Sequence, residues 1–396
     1  MRTVFLLSGL LMTLSALPAQ DMYTGRMVDS AYLEAIPYRY VGGKMLVPVT
    51  IDSITYWFML DTGGELIVSP RVRDAHRLER VGEKSVRGAA NDRSTLEKVA
   101  FPDMHIGNLT FSGYQGLVTD FFDRYPVVCF GADGMLGRDF LKTGCLRFDH
   151  PNRQIIFADK IEQLDTSGHR STEIVLGASG SPYIPVHARG GKPEMVLFDS
   201  GSDDFFSFER KKAEKWSVQN KSDKQTWVGV SSLGITLKPA KHSKQYRIRL
   251  DSLTISGVAF QDVRTDVSKE SRSRVGTRFL HYGLVTIDFS NKQFYFKPFP
   301  DSVFQQTGSH YGMAVEILEG GYRVRAVLKG SEADRAGISE GTVIRSIDGY
   351  TPGKNRAEHC AHYLNGHPWD GKPAVEVIFI DRRRKEKKVV LNRRTD

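Results

Sequence analysis

The sequence predicts a mostly β chain made of two similar halves and a smaller C-terminal α+β unit. Three observations predict it. From about residue 37 to 300, short alternating runs such as Met45-Leu46-Val47-Pro48-Val49-Thr50-Ile51 are broken by Gly, Asp and Asn turns, the pattern of half-buried strands. Five sequence features recur in the same order about 140 residues apart, a period too long for a solenoid. After Lys297-Pro298-Phe299-Pro300 the pattern changes to a capped helix, a strand and a tight turn. The 396 residues suit two or three domains, and 40% apolar content can fill their cores.

In chain order, residues 1–20 read as an export signal. Arg2 is the positive start, Val4 to Leu17 is largely apolar, and small residues near Ala16 to Ala19 suit cleavage. A membrane anchor is the competing reading, but the run is short and ends at Pro18. No later stretch is long enough to span a bilayer, so the expected product is exported, periplasmic or secreted, with no stable membrane insertion after signal removal. Residues 21–165 form the first half and 166–300 the second, with polar Ala158 to Thr172 connecting them. Helices are expected to be few, over Asp139 to Thr143 and Phe208 to Trp216.

The repeated features centre on a strand-ending acidic triplet. The first copy is Phe58-Met59-Leu60-Asp61-Thr62-Gly63-Gly64 and the second is Val196-Leu197-Phe198-Asp199-Ser200-Gly201-Ser202. A carboxylate at the lip of a buried strand is costly unless it has a partner or a task. One such triplet is an ordinary turn sequence, and Asp165-Thr166-Ser167-Gly168, with no apolar strand before it, reads as a linker turn. The surroundings repeat as well. Pro48 lies thirteen residues before Asp61, and Pro185 fourteen before Asp199. Ile106-Gly107-Asn108-Leu109 echoes Ile255-Ser256-Gly257-Val258, and Gly137-Arg138-Asp139-Phe140-Leu141 echoes Gly276-Thr277-Arg278-Phe279-Leu280. Leu146 to Phe157 echoes Leu284 to Phe296. Turn chemistry alone does not predict that order. Two such loops, one per half, could bring two carboxylates face to face for acid–base work.

Residues 301–396 are a different unit. Ser331 caps a short helix through Ile338, with Gly337 as its stop, and Gly341 to Gly349 gives a strand ending in an Asp-Gly turn. Net charge is +9, and residues 381–396 hold eight Lys or Arg against three acidic residues. Val375 to Ile380 and Val389 to Leu391 flank those charges like paired strands, so the cluster reads as a solvated hairpin and no nucleic-acid partner is expected. Three cysteines, Cys129, Cys145 and Cys360, do not form a disulfide framework. A Cys129–Cys145 bridge is the alternative to the favoured reading of three buried thiols. No spacing suits zinc, and a helix surface accounts for His359 and His362, so neither metal nor cofactor is expected.

The two triplets, each with a downstream apolar-Gly segment, resemble those of pepsin-like and retropepsin-like aspartic proteases. Met135-Leu136-Gly137 with Phe140-Leu141 is similar to the second signature of that family. Ser331 to Ile338 and Gly341 to Gly349 resemble a PDZ domain, with Tyr311-Gly312-Met313 at its carboxylate-binding loop. Two protease halves followed by PDZ resemble bacterial exported proteins of this type. The resemblance implies a two-lobed, pepsin-like β-barrel fold with a PDZ-like tail. It makes Asp61 and Asp199 the catalytic pair of an aspartic endopeptidase, with Thr62, Gly63, Ser200 and Gly201 supporting them. It implies a polypeptide substrate in the cleft between the halves and a peptide or C-terminus on the tail, the latter bound by addition to a sheet edge. A covering flap would fall at Gly88 to Ser94, where a hairpin loop is the alternative.

The chain departs from the family at two places. Gly64 stands where a hydroxyl is usual, and Arg274-Val275-Gly276 replaces an apolar pair before the glycine, changing the support beneath Asp199. These departures motivate the alternative of a catalytically silent peptide-binding protein with a degenerate protease fold. A serine protease is disfavoured, because neither Ser200 nor Ser179 lies in a Gly-x-Ser-x-Gly elbow.

Overall fold

The computed structural model describes residues 25–87, 93–141, 144–220, 224–229, 243–268, 272–300, 302–304, 306 and 309–395. The signal-like segment 1–20 and most of the flap candidate, residues 88–92, lie outside the described residues.

Alternating apolar runs form strands, as their period requires. In the first half, Lys44–Ile51 and Ile54–Leu60 are an antiparallel hairpin, with Val47 opposite Phe58, and Gly134–Leu136 lies parallel to the second of them. The second half repeats the arrangement. Pro182–Ala188 pairs with Glu194–Phe198, with Ile184 opposite Val196, and Arg274–Val275 lies parallel to Glu194–Phe198. The echoed turns are equivalent two-residue hairpins: Ile106 faces Leu109 across Gly107-Asn108, and Ile255 faces Val258 across Ser256-Gly257.

A six-stranded sheet joins the halves. Its order is Arg170–Glu173, Gln293–Pro298, Gly283–Asp288, Cys145–Asp149, Gln154–Ala158, Leu33–Pro37, three strands from each half. The seam is the antiparallel pair of Cys145–Asp149 with Gly283–Asp288. The last echoed segments are therefore the two middle hairpins of this sheet. One core runs beneath both halves, and Phe58, Phe111, Phe148, Phe198, Phe279 and Phe294 are all fully buried in it. Each such side chain contributes about 1.5–3 kcal/mol of transfer free energy.

The C-terminal unit has its own core around Tyr322, Ile344, Val377, Phe379 and Trp369. Ser331 Oγ accepts from the Asp334 amide and starts the helix Glu332–Arg335. Asp348 and Gly349 both have positive φ, the geometry of a two-residue reversal. Ala374–Ile380 pairs with Glu386–Asn392, which places the basic cluster on a hairpin. This unit also continues a sheet of the second half, because Lys224–Gly229 pairs with Gly321–Leu328, Trp227 facing Leu328.

Three local expectations are corrected. The helix expected over Phe208 to Trp216 starts later, at Arg210–Asn220, because Phe206–Glu209 is a strand that buries Phe206 and Phe208 between two neighbours. The helix expected over Asp139 to Thr143 is a single 3₁₀ turn, Arg138–Phe140; Lys142 and Thr143 lie outside the described residues. The three-thiol reading is overturned by a Cys129–Cys360 disulfide with a Cα separation of 5.0 Å. Cys145 alone is free, and burial pushes its thiol up to about 12. The bridge fastens the helix Arg356–Asn365 to the first half, where Tyr363 meets Tyr125 and Phe130 edge-on.

Candidate active site

Each acidic triplet leaves a buried strand and is held by the parallel strand beside it. The Asp61 amide donates to the Leu136 carbonyl, and the Asp199 amide donates to the Val275 carbonyl, both at 2.9 Å. The chain then turns back on itself: the Gly64 amide donates to the Asp61 carbonyl and the Ser202 amide to the Asp199 carbonyl, both at 3.1 Å. Within each loop a glycine amide fixes the carboxylate, Gly63 N to Asp61 Oδ1 at 2.8 Å and Gly201 N to Asp199 Oδ1 at 3.0 Å.

The two loops grip one another through their hydroxyls. Thr62 Oγ1 donates to the Phe198 carbonyl at 2.5 Å and accepts from the Ser200 amide at 3.0 Å. Reciprocally, Ser200 Oγ donates to the Leu60 carbonyl at 2.9 Å and accepts from the Thr62 amide at 3.0 Å. The Leu60 and Phe198 carbonyls end buried strands, the two amides lie in the loops just beyond, and Thr62 is 0% and Ser200 1% exposed. Groups so placed need partners, and each half supplies the other's.

This grip brings Asp61 and Asp199 together. A Cβ added to Gly63 would stand 3.2 Å from Asp199 Cγ, and one added to Gly201 would stand 2.4 Å from Asp61 Cγ. A side chain at Gly201 would therefore displace the Asp61 carboxyl, and one at Gly63 would press tightly on that of Asp199. The Asp61 carboxyl is pushed up to about 7, by desolvation first and then by the charge and hydrogen bond of Asp199. Two carboxyls in contact cannot both ionise cheaply, so the pair holds one proton over a wide pH range.

Three cations missed as site residues in the sequence surround the pair. Arg138, 7% exposed, donates to the Gly63 and Gly64 carbonyls at 2.7 and 2.8 Å and to the Ser179 carbonyl at 2.6 Å, and pairs with Glu65 at 3.0 Å. Lys44 donates to the Gly201 carbonyl at 2.7 Å and pairs with Asp203 at 3.1 Å. Burial works to raise Asp203, but Lys44 outweighs it and holds the carboxyl below the usual range. Arg274 lies 3.2 Å from Asp199 Oδ2 through its Nε. The echo of Gly137-Arg138 marked Arg138, and the break in the apolar pair marked Arg274; Lys44 left no signal beyond lying in a strand.

The missing hydroxyl at Gly64 also has a physical reason. A Cβ there would stand 2.7 Å from Asp61 Oδ2 and 2.9 Å from Met135 Cε. In the C-terminal unit, Tyr311 is buried and its hydroxyl donates to the Trp369 and Lys372 carbonyls at 2.8 and 2.9 Å. Gly312 has φ +77°, its amide donates to His310 Nδ1 at 3.0 Å, and its carbonyl accepts from the Leu328 amide at 2.9 Å. Met313 begins the strand Met313–Leu318. Among the described residues, no group of three or more His, Cys, Asp or Glu is placed to hold a metal ion, and no helix is long and apolar enough to cross a membrane.

Residues 47–140 match the aspartyl protease family. The match runs from the Val47-Pro48 strand through Asp61 to the Gly137–Phe140 turn. The chain is similar to two solved structures. One is an aspartic proteinase from Irpex lacteus, at 13% identity and TM-score 0.41, covering 68% of this chain and 98% of that one. The other is Basic 7S globulin from soybean, at 11% identity and TM-score 0.41, covering 68% of this chain and 95% of that one. No curated protein matches the chain in sequence.

Proposed function

We propose that the chain is an aspartic endopeptidase that hydrolyses peptide bonds with Asp61 and Asp199 sharing one proton. The observation that carries this reading is the reciprocal Thr62–Ser200 grip, which sets the two carboxyls in contact. The ionised carboxylate takes a proton from water as the water oxygen bonds to the scissile carbonyl carbon. The protonated carboxyl donates to the carbonyl oxygen, which takes the electron pair of the broken π bond. Collapse of that intermediate breaks the C–N bond: the amine leaves with the proton just taken from water, and one hydroxyl of the diol returns its proton to the carboxylate that had donated, as the C=O of the product acid re-forms. The family match of residues 47–140 supports the reading.

The substrate would be an extended polypeptide lying between the halves, and the C-terminal unit would hold a peptide or C-terminus. Met313–Leu318 suits such a role, because among the described residues it pairs on one side alone, with Gly321–Leu328. Export is supported by residues 1–20 and by the Cys129–Cys360 bridge, a bond that persists in oxidising compartments.

The test is cleavage of a denatured protein by wild type, D61N and D199N, with inhibition by a pepstatin-type compound. Each variant should lose roughly 10²–10⁴-fold in rate; undiminished cleavage by either ends the reading. A second reading, a catalytically silent peptide-binding protein, draws on the Arg274–Asp199 ion pair. It predicts peptide binding by the intact chain with no cleavage by wild type.

A further inference from the structure

The strands that support the dyad place different side chains beside the two carboxyls. Met135 pairs with Met59, two residues before Asp61, and Arg274 pairs with Leu197, two residues before Asp199, each across a parallel strand pair. Met135 and Arg274 are therefore equivalent. Met135 Cε and Asp61 Oδ2 both crowd the point where a Cβ on Gly64 would stand, at 2.9 and 2.7 Å. An uncharged thioether thus sits beside Asp61. In the second half a guanidinium occupies the same place, 3.2 Å from Asp199 Oδ2, with the two side chains only 14% and 11% exposed.

We infer that Arg274 is a positioning residue that breaks the symmetry of the dyad, keeping the negative charge on Asp199 and the shared proton on Asp61. The inference rests on the endopeptidase reading for its catalytic meaning: Asp199 becomes the base that takes the proton from water, and Asp61 the donor to the carbonyl. Other charges facing the pair do not undo this choice. Lys44 is engaged by Asp203 and the Gly201 carbonyl, while Glu65, on the Asp61 side, is held by Arg138 and Lys84. A guanidinium retains its charge at any pH of interest, so the bias persists across the working range.

The test uses the full chain and two measurements. The first is the pH profile of kcat/KM for wild type, R274M and R274K. Arg274 favours the singly ionised dyad over the doubly protonated one. Its loss should therefore move the acidic limb up by about one pH unit or more, an approximately tenfold loss of kcat/KM below the limb. R274M copies the residue of the first half, and R274K should restore most of the shift. Unmoved limbs in a folded R274M overturn the inference, as does cleavage gained by R274M when wild type shows none.

The second measurement needs no activity and no Arg274 variant. Carboxyl ¹³C resonances of aspartate-labelled protein, recorded between the two limbs or near pH 5, are assigned with D61N and D199N. The carboxylate resonance should vanish in D199N and the protonated one in D61N; the reverse assignment overturns the inference. A wild type that cleaves nothing but shows the expected resonances sinks the endopeptidase reading and leaves the role of Arg274 standing.

Discussion

Replacing Thr62 by valine removes one hydroxyl and nothing else of size. That hydroxyl serves two buried backbone groups, donating to the Phe198 carbonyl at 2.5 Å and accepting from the Ser200 amide at 3.0 Å. Thr62 is fully buried, so water cannot replace it. Each orphaned group costs about 1–3 kcal/mol, so T62V, which orphans two, should destabilise the chain by about 2–6 kcal/mol. The partner change S200A orphans the Leu60 carbonyl and the Thr62 amide in the same way. Because the four bonds form one network, the double variant should lose less than the sum of the singles. The assay is urea unfolding of the full chain followed by intrinsic fluorescence, comparing midpoints at constant slope. A loss below about 0.5 kcal/mol in T62V, or strict additivity in the double variant, would show that the halves are not joined through these hydroxyls.

Three further outcomes follow from the site and its surroundings. R138M should cost about 1–3 kcal/mol in the same unfolding assay, because it removes the side-chain donors to the half-buried Gly63, Gly64 and Ser179 carbonyls and one of the two cations on Glu65. Peptide cleavage should fall as pH rises through about 7, because Asp61 must keep its proton to donate and its carboxyl is held up to about that value; a profile still rising at pH 9 would contradict this. C129S/C360S should lower stability by about 2–5 kcal/mol, because the bridge joins residues 231 apart and constrains the unfolded chain; thermal melts of the double variant check it.

Much of the architecture was legible because it depends on local order. The five echoes became strands, strand-end loops, hairpin turns and 3₁₀ turns in equivalent places, and the Ser331 cap, the Asp348-Gly349 reversal and the basic hairpin formed where their residue types require. The Thr62–Ser200 grip was expected only through resemblance, since its partners lie 138 residues apart. Contacts decided by the return of distant chain were not legible. Lys44 reaches the Gly201 carbonyl 157 residues away, and Cys129 finds Cys360 rather than nearby Cys145, whose strand is committed to the central sheet. Phe206 to Glu209 has too short a period to separate strand from helix, and burial on both sides decided it.

The C-terminal unit is moored to both halves. Backbone pairing of Lys224–Gly229 with Gly321–Leu328 ties it to the second, and the Cys129–Cys360 bond ties it to the first, where Arg356 also donates to the Asp123 carbonyl at 2.7 Å. It thus acts as a clasp across the molecule. Any movement of one half away from the other must drag this clasp along, peel a strand from its neighbour, or break a covalent bond. A thiol reductant would therefore remove one of these moorings through a bond that involves neither acidic residue.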